Sequence, residues 1–430
     1  MILYREALSR VIDLGFRMGQ GLESEWIPLA EARGRFLAEA ISSPEDFPAF
    51  DACTVDGYAL VSASTGGATR GAPLRFDIGK QIYAGVAEAG VAVSATTVVG
   101  VSTGAVLPEG ADCAVKVEDV HIVCDADEIP RQIEIKSPLG VDENVRHRGV
   151  DIRQGLTILN AGEQVQDQHF PALAALGVSK LKVFRRPKVA VLCTGDEVVD
   201  ASSDEPLPLG CVRNASGPFL LQALRGMGCD VVYYARVADQ TILFKKEVEK
   251  VLGLGCDLVV TTGAVSVGQK DFVENVLKKL GAGILFHRSS IRPGKPALVA
   301  KVARSGGETA IFALPGNPMS TAVGLRFLVE PFLRSLRGQK HEIPLRISLG
   351  NDLIKSEGFR SFLVGSVVQT DAGLRVYVAA EQESFRVLTF ARGNAWVVLP
   401  EVAKGAAFGD LVEVFPLMPS GTLGHFSSNV

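Results

Sequence analysis

From residue 187 to residue 337 the chain repeats one unit, an apolar run, a glycine-bearing turn and a stretch with helical spacing. This alternation restricts the fold more than any other feature of the sequence. The runs at 188–193, 230–237, 257–262 and 310–314 are largely apolar without strict alternation, as expected of strands buried on both faces. Between them, 217–228, 241–254, 271–280 and 320–337 read as helices, the first with Pro218 early and Gly228 at its end. Strand and helix in turn imply a parallel sheet covered on both sides, and such sheets bind ligands in the loops beyond the carboxyl ends of their strands.

The flanks follow other rhythms. Residues 3–18 put Leu3, Ala7, Leu8, Val11, Ile12, Leu14 and Met18 on one half of a helical cylinder and charged residues on the other. From 42 to about 149, short β-type runs (97–101, 113–117, 133–135) broken by Gly and Pro predict a small β-rich unit, and 169–176 returns to helix. Beyond residue 340, runs at 345–349, 359–367, 374–378 and 395–399 predict a β-barrel or sandwich, with a polar, frayed end over 419–430. The 430 residues suffice for about three units of roughly 150 each.

Lys+Arg 44 against Asp+Glu 48 gives a net charge of -4, so there is no global basic field for nucleic acid or an anionic membrane, and any anion site must be local. The seven cysteines are scattered and never spaced C-x-x-C, which argues against a disulfide framework or a zinc ribbon and for a cytoplasmic setting. Glu6 and Asp13 stand where a signal peptide would be apolar, and no apolar run is long enough to cross a bilayer.

Three turns within the alternating region carry chemistry. Thr194-Gly195-Asp196-Glu197 brings two carboxylates to a strand end, suited to Mg²⁺ shared with phosphate, or to a plain turn capped by Asp196. The segment 261–271 combines hydroxyls, Gly263, Ser266 and Gly268 before a helix start, with Asp271 as cap or metal ligand. It suits a phosphate and lacks P-loop spacing. Pro315-Gly316-Asn317-Pro318 pre-sets a rigid turn at a helix start, and Arg292-Pro293-Gly294-Lys295 adds two cations in another constrained turn. Upstream, Asp51 and Asp56 flank a turn, and 146–151 (Arg146 to Asp151) reads as a charged hinge or an anion clamp.

Taken in order, Asp56-Gly57-Tyr58-Ala59, Thr103-Gly104-Ala105, Arg148-Gly149-Val150-Asp151, Thr194-Gly195-Asp196-Glu197, Gly263 to Gly268, Pro293-Gly294-Lys295-Pro296 and Pro315-Gly316-Asn317-Pro318 resemble the MoeA family of molybdopterin molybdenumtransferases, which includes the gephyrin E domain. The resemblance implies a multidomain α/β plus β fold, an elongated subunit with four parts. These are an extended N-terminal and linker domain (1–44 and 150–184), an inserted β-rich domain (45–149), a molybdopterin-binding parallel α/β domain (185–338) and a C-terminal β-barrel (339–420). It further implies a cytoplasmic homodimer that inserts molybdate into adenylylated molybdopterin with release of AMP, assisted by Mg²⁺, downstream of a molybdopterin adenylyltransferase and with no nucleic acid or membrane partner.

By the same resemblance Asp56, Thr103, Asp151, Glu197 and Asp271 are the expected catalytic residues, with Glu197 and Asp271 holding metal. Gly263, Ser266, Gly268, Asn214, Pro315, Gly316, Asn317 and Pro318 would contact the pterin and its phosphate, and Arg292, Lys295 and Arg148 would balance molybdate or phosphate charge. The chain departs from the family pattern at Val55, where methionine is usual, at Asn214, where a carboxylate is common, and at Ala264, which replaces a second glycine. Gln269-Lys270 replaces a more usual acidic and aromatic pairing. Asn214 is the best sequence argument for an alternative, a non-catalytic molybdopterin or cofactor carrier or scaffold. An unrelated phosphosugar or nucleotide enzyme on an α/β fold is a third reading.

Overall fold

The structure is a computed structural model that describes residues 1–86, 89–265 and 272–419. The chain divides into two compact units, Met1–Glu39 with Ala161–Val165 and Leu181–Val430, and Ala40–Asn160 with Gln166–Lys180.

The first unit is built on a six-stranded sheet in the order Asp230–Val237, Lys188–Thr194, Leu258–Thr262, Gly307–Leu314, Leu298–Arg304, Gly283–His287. The first four strands are parallel, as the alternation requires. The last two run antiparallel to their neighbours and extend the sheet beyond the purely parallel arrangement expected. Successive residues of the central strands enter different cores. Val189, Val191, Leu258 and Val260 pack with Leu220 and Leu224 of helix Ser216–Gly226 and with the N-terminal helix. Ala190, Leu192 and Val259 pack with Phe244, Val248 and Val251 of Thr241–Gly253 and with Val273 and Leu277 of Val273–Lys279. Burial on both faces is why these strands carry near-continuous apolar sequence.

The N-terminal helix spans Tyr4–Gly19 and buries Tyr4, Ala7, Val11, Leu14 and Gly15. A Cβ at Gly15 would sit 2.5 Å from the Phe332 carbonyl oxygen, so glycine permits the close approach to helix Glu330–Leu336. That helix continues Pro318–Gly324 through a π turn at Leu325–Val329. Pro331 has no N–H to give to the Phe327 carbonyl one turn back, and the Tyr4 hydroxyl donates to that oxygen instead, at 3.2 Å.

Strands Leu345–Leu349, Arg360–Thr370, Gly373–Val378, Ala395–Leu399 and Leu411–Pro416 close on themselves, since Arg360–Thr370 pairs with both Gly373–Val378 and Ala395–Leu399. This is the expected C-terminal barrel, filled by Ile347, Leu349, Val367, Val376, Val397 and Val414, with Leu411–Pro416 as a strand beyond those expected. Ile291–Arg292 pairs with Arg360–Thr370 and ties the barrel to the α/β part of the same unit.

The second unit is a curled six-stranded sheet in the order Cys113–Lys116, Gly57–Leu60, Thr97–Val101, Leu74–Ile82, Pro130–Ile135, His121–Cys124. Alternate residues again supply two cores, Tyr58, Leu60, Phe76 and Ile133 in one and Ala59, Val99, Val101 and Ala114 in the other. All seven cysteines are free. Among the described residues, no helix is long and apolar enough to cross a membrane.

Candidate functional site

The connections leaving strand Lys188–Thr194 place the next parallel strand on one side of it and the following one on the other, so a crevice opens beyond its carboxyl end. There lies a cavity of about 690 Å³. Its wall is made by the turns that follow three parallel strands: Thr194, Gly195 and Glu197 after the first, Thr262, Gly263 and Ala264 after the second, and Pro315, Gly316 and Asn317 after the third.

These turns are laced together. The Thr194 hydroxyl donates to the Thr262 carbonyl oxygen at 3.1 Å, and the Gly263 N–H donates to the Leu314 carbonyl at 3.0 Å. The Thr321 hydroxyl donates to the Pro315 carbonyl at 2.8 Å and the Ser216 hydroxyl to the Gly316 carbonyl at 3.3 Å, holding the Pro-Gly-Asn-Pro turn from behind. The N–H groups of Gly316 and Asn317 take no acceptor among the described residues and remain available to a ligand. Fixed donors of this kind bind an oxyanion with little reorganisation.

The structure brings Glu197, Asn214, Gly263, Pro315, Gly316, Asn317 and Pro318 to this one cavity. Arg292 and Lys295 line a neighbouring cavity of about 1230 Å³, on the barrel side, and Pro296, Ser320 and Phe385 form part of both walls. Ser266, Gly268 and Asp271 lie outside the described residues. Asp56, Thr103, Arg148 and Asp151 belong to the second unit. There the Thr103 N–H donates to Asp56 Oδ1 at 2.9 Å, the Arg148 N–H donates to Asp51 Oδ1 at 2.7 Å, and Arg148 Nε donates to Asp46 Oδ2 at 2.7 Å. That guanidinium and the Gln154 N–H hold the Asp46 carboxyl below the ordinary carboxylate range, the backbone bond being the larger cause.

Asn214 has a local task. Its Oδ1 accepts the Gly217 N–H at 2.8 Å in the first turn of helix Ser216–Gly226, and its Nδ2 donates to the Tyr234 hydroxyl at 3.0 Å. Asn214→Ala is expected to cost about 1 kcal/mol, the usual loss for a helix-start acceptor, read as a lower urea midpoint with unchanged slope. Burial raises the Cys193 thiol, which borders the cavity, and the Tyr234 phenol behind Asn214 above their ordinary values, so both are neutral at pH 7.

Asp239, which no motif of the sequence marks, also lines the cavity, and its N–H donates to Asp196 Oδ1 at 2.9 Å. It follows the end of strand Asp230–Val237 by two residues, so the strand-end rule that singled out Glu197 would have found it. Among the described residues no three or more His, Cys, Asp or Glu side chains cluster around a metal position. A cation here would therefore be held by one or two carboxylates, with the other ligands supplied by substrate oxygens and water, which is the habit of Mg²⁺. Glu197 and Asp239 fit that mode.

Fold and site define an α/β protein with a ligand cleft at the carboxyl ends of its strands, joined to a β-rich insertion and a closed barrel. Three family models match the chain in succession: the MoeA N-terminal region (domain I and II) over residues 2–177, a probable molybdopterin binding domain over 190–335, and the MoeA C-terminal region (domain IV) over 346–417. The chain is 34% identical over 393 residues to the molybdopterin molybdenumtransferase of Synechococcus elongatus, covering 91% of this chain and 94% of that protein. With the Bacillus subtilis protein of the same name it shares 30% over 398 residues, covering 91% and 89%. A crystal structure of the molybdopterin biosynthesis MoeA protein from Pyrococcus horikosii superimposes with a TM-score of 0.77 at 29% identity, over 94% of this chain and 98% of that one. The chain belongs to the MoeA family.

Proposed function

We propose that the protein is a molybdopterin molybdenumtransferase that inserts molybdate into the dithiolene of adenylylated molybdopterin and releases AMP. The observation that carries this reading is the convergence of Glu197, Gly263 and the Pro315–Pro318 turn on one cavity, within a chain that matches the family along most of its length. The substrate is polyanionic, and the site offers it what it needs: backbone donors at Gly316 and Asn317, and the cations Arg292 and Lys295 in the adjoining cavity.

Mg²⁺, when bound, would neutralise phosphate charge, and Glu197 and Asp239 would hold it, with Asp271 a further proposed ligand. The chain's own part is to fix the pterin phosphate against the three strand-end turns and to set Arg292 and Lys295 against the incoming oxyanion. Ser266 and Gly268 are proposed phosphate contacts. Asp56, Thr103 and Arg148 are proposed contacts carried by the inserted domain, for which the limits 45–149 are proposed, and Asp151 is a proposed contact in the linker part that follows, 150–184. A homodimer, a cytoplasmic setting and an upstream adenylyltransferase complete the proposal.

Purified protein given adenylylated molybdopterin, molybdate and Mg²⁺ is expected to release AMP in proportion to cofactor formed. Pterin binding without AMP release would instead mark a carrier.

A further inference from the structure

The end of the sheet opposite the candidate site carries a separate cavity of about 550 Å³, within the range of small-molecule pockets. Strand Lys188–Thr194 runs between the two, so they stand about 20 Å apart at the usual rise per residue. Five segments of the first unit meet there: the last turn of the N-terminal helix with the residues after it, the chain entering strand Lys188–Thr194, the turn before Leu258–Thr262, the turn after Leu298–Arg304, and the end of helix Glu330–Leu336.

The charges in this cavity do not balance. Asp257 accepts from Arg185 Nη1 and Nη2 at 2.6 and 3.0 Å and from Arg304 Nη2 at 3.0 Å. Glu23 is bound by Arg185 at 3.2 Å, and Glu308 by Lys301 at 2.6 Å. Every acid is thus committed, whereas the side chains of Arg17 and Lys188 have no acceptor among the described residues. Arg304 Nε is buried with no hydrogen-bond partner. The staple formed by Asp257 accounts for Arg185 and for Nη2 of Arg304, whose Nη1 donates to the Ser305 carbonyl at 3.2 Å, and leaves the two cations and the buried Nε–H without an acceptor. Water can hydrate the two exposed cations and the Nε–H, but it leaves the excess of positive side chains around the cavity unbalanced. An anion that carries at least two charges and several acceptor oxygens would satisfy all three.

We propose that this cavity is a second anion site, which takes the phosphate group of a small ligand through Arg17, Lys188 and Arg304. The site is independent of the function proposed above. Calorimetric titration of the full chain with inorganic phosphate, and separately with adenosine monophosphate, tests it in three proteins: the wild type, the Arg17→Ala/Lys188→Ala double variant and the cleft variant Arg292→Ala. Both side chains removed in the double variant are exposed and unpaired, so that variant retains the fold. It is expected to lose at least tenfold in phosphate affinity at a site that Arg292→Ala leaves intact. Displacement of phosphate from that site by adenosine monophosphate supports it with a phosphoester as ligand, and phosphate binding without displacement supports it with the free ion. Equal phosphate affinity in the double variant and the wild type, or no saturable phosphate binding by the wild type, overturns it.

Discussion

Replacing Gly263 by alanine is expected to lower AMP release about a hundredfold while leaving a folded protein, because the residue sits where two turns of the cleft touch. Its φ of 91° lies in the left-handed region, and a Cβ there would fall 2.5 Å from Thr194 Oγ1 and 2.7 Å from the Thr194 carbonyl oxygen. Neither neighbour is free to retreat. Thr194 is held by its bond to the Thr262 carbonyl, and Gly263 by its own N–H bond to the Leu314 carbonyl. The methyl group must therefore push the 194–197 turn away from the 315–318 turn, and a shift of about 1 Å in such a constellation is enough for the stated loss. Ala264 provides the internal comparison. It already carries a methyl group at φ 50°, with no cost beyond the local strain of an alanine in that region, so Ala264→Gly should stay within a few-fold of wild type. Turnover measured beside thermal unfolding separates a displaced cleft from an unfolded one. A Gly263→Ala enzyme within threefold of wild type would show that the contact between the turns does not set the geometry of the reaction.

Gly263 was legible in the sequence as a glycine following an apolar strand, and so were the 194–197 and 315–318 turns, because a covered parallel sheet confines ligand-facing residues to strand ends. The helix at Tyr4–Gly19 and four of the five barrel strands were legible from periodicity alone, and Leu411–Pro416 was not. The antiparallel strands Gly283–His287 and Leu298–Arg304 were not, since short mixed runs such as Leu298-Val299-Ala300-Lys301 fit a strand or a helix turn equally. Asn214 was read from its family position as a ligand contact, whereas its hydrogen bonds to Gly217 and Tyr234 are a matter of helix geometry that no motif records. The same limit hid Asp257, whose partners lie 72 and 47 residues away in sequence.

Asp257→Ala is expected to destabilise the first unit by about 3 kcal/mol. The carboxylate is 7% exposed, and its two oxygens accept four hydrogen bonds: two from Arg185, one from Arg304 and one, at 2.8 Å, from the Lys188 N–H. It therefore joins the chain entering the first parallel strand, the start of the neighbouring one and the antiparallel hairpin. Removing it strands two guanidinium groups that are 24% and 14% exposed, and breaking a buried pair in this way costs about 3–5 kcal/mol. The lower end applies because Arg185 reaches solvent and keeps Glu23. Asp257→Asn keeps the shape and one acceptor, so its loss should be roughly half as large. Urea unfolding followed by far-UV circular dichroism measures both, and a pair this buried should give nearly the same difference at low and at moderate salt. The anion-site proposal adds a sign to the experiment. With the carboxylate gone, Arg304 joins Arg17 and Lys188 as an unpaired cation around the same cavity and Arg185 keeps only Glu23, so phosphate should raise the urea midpoint of Asp257→Ala more than that of the wild type.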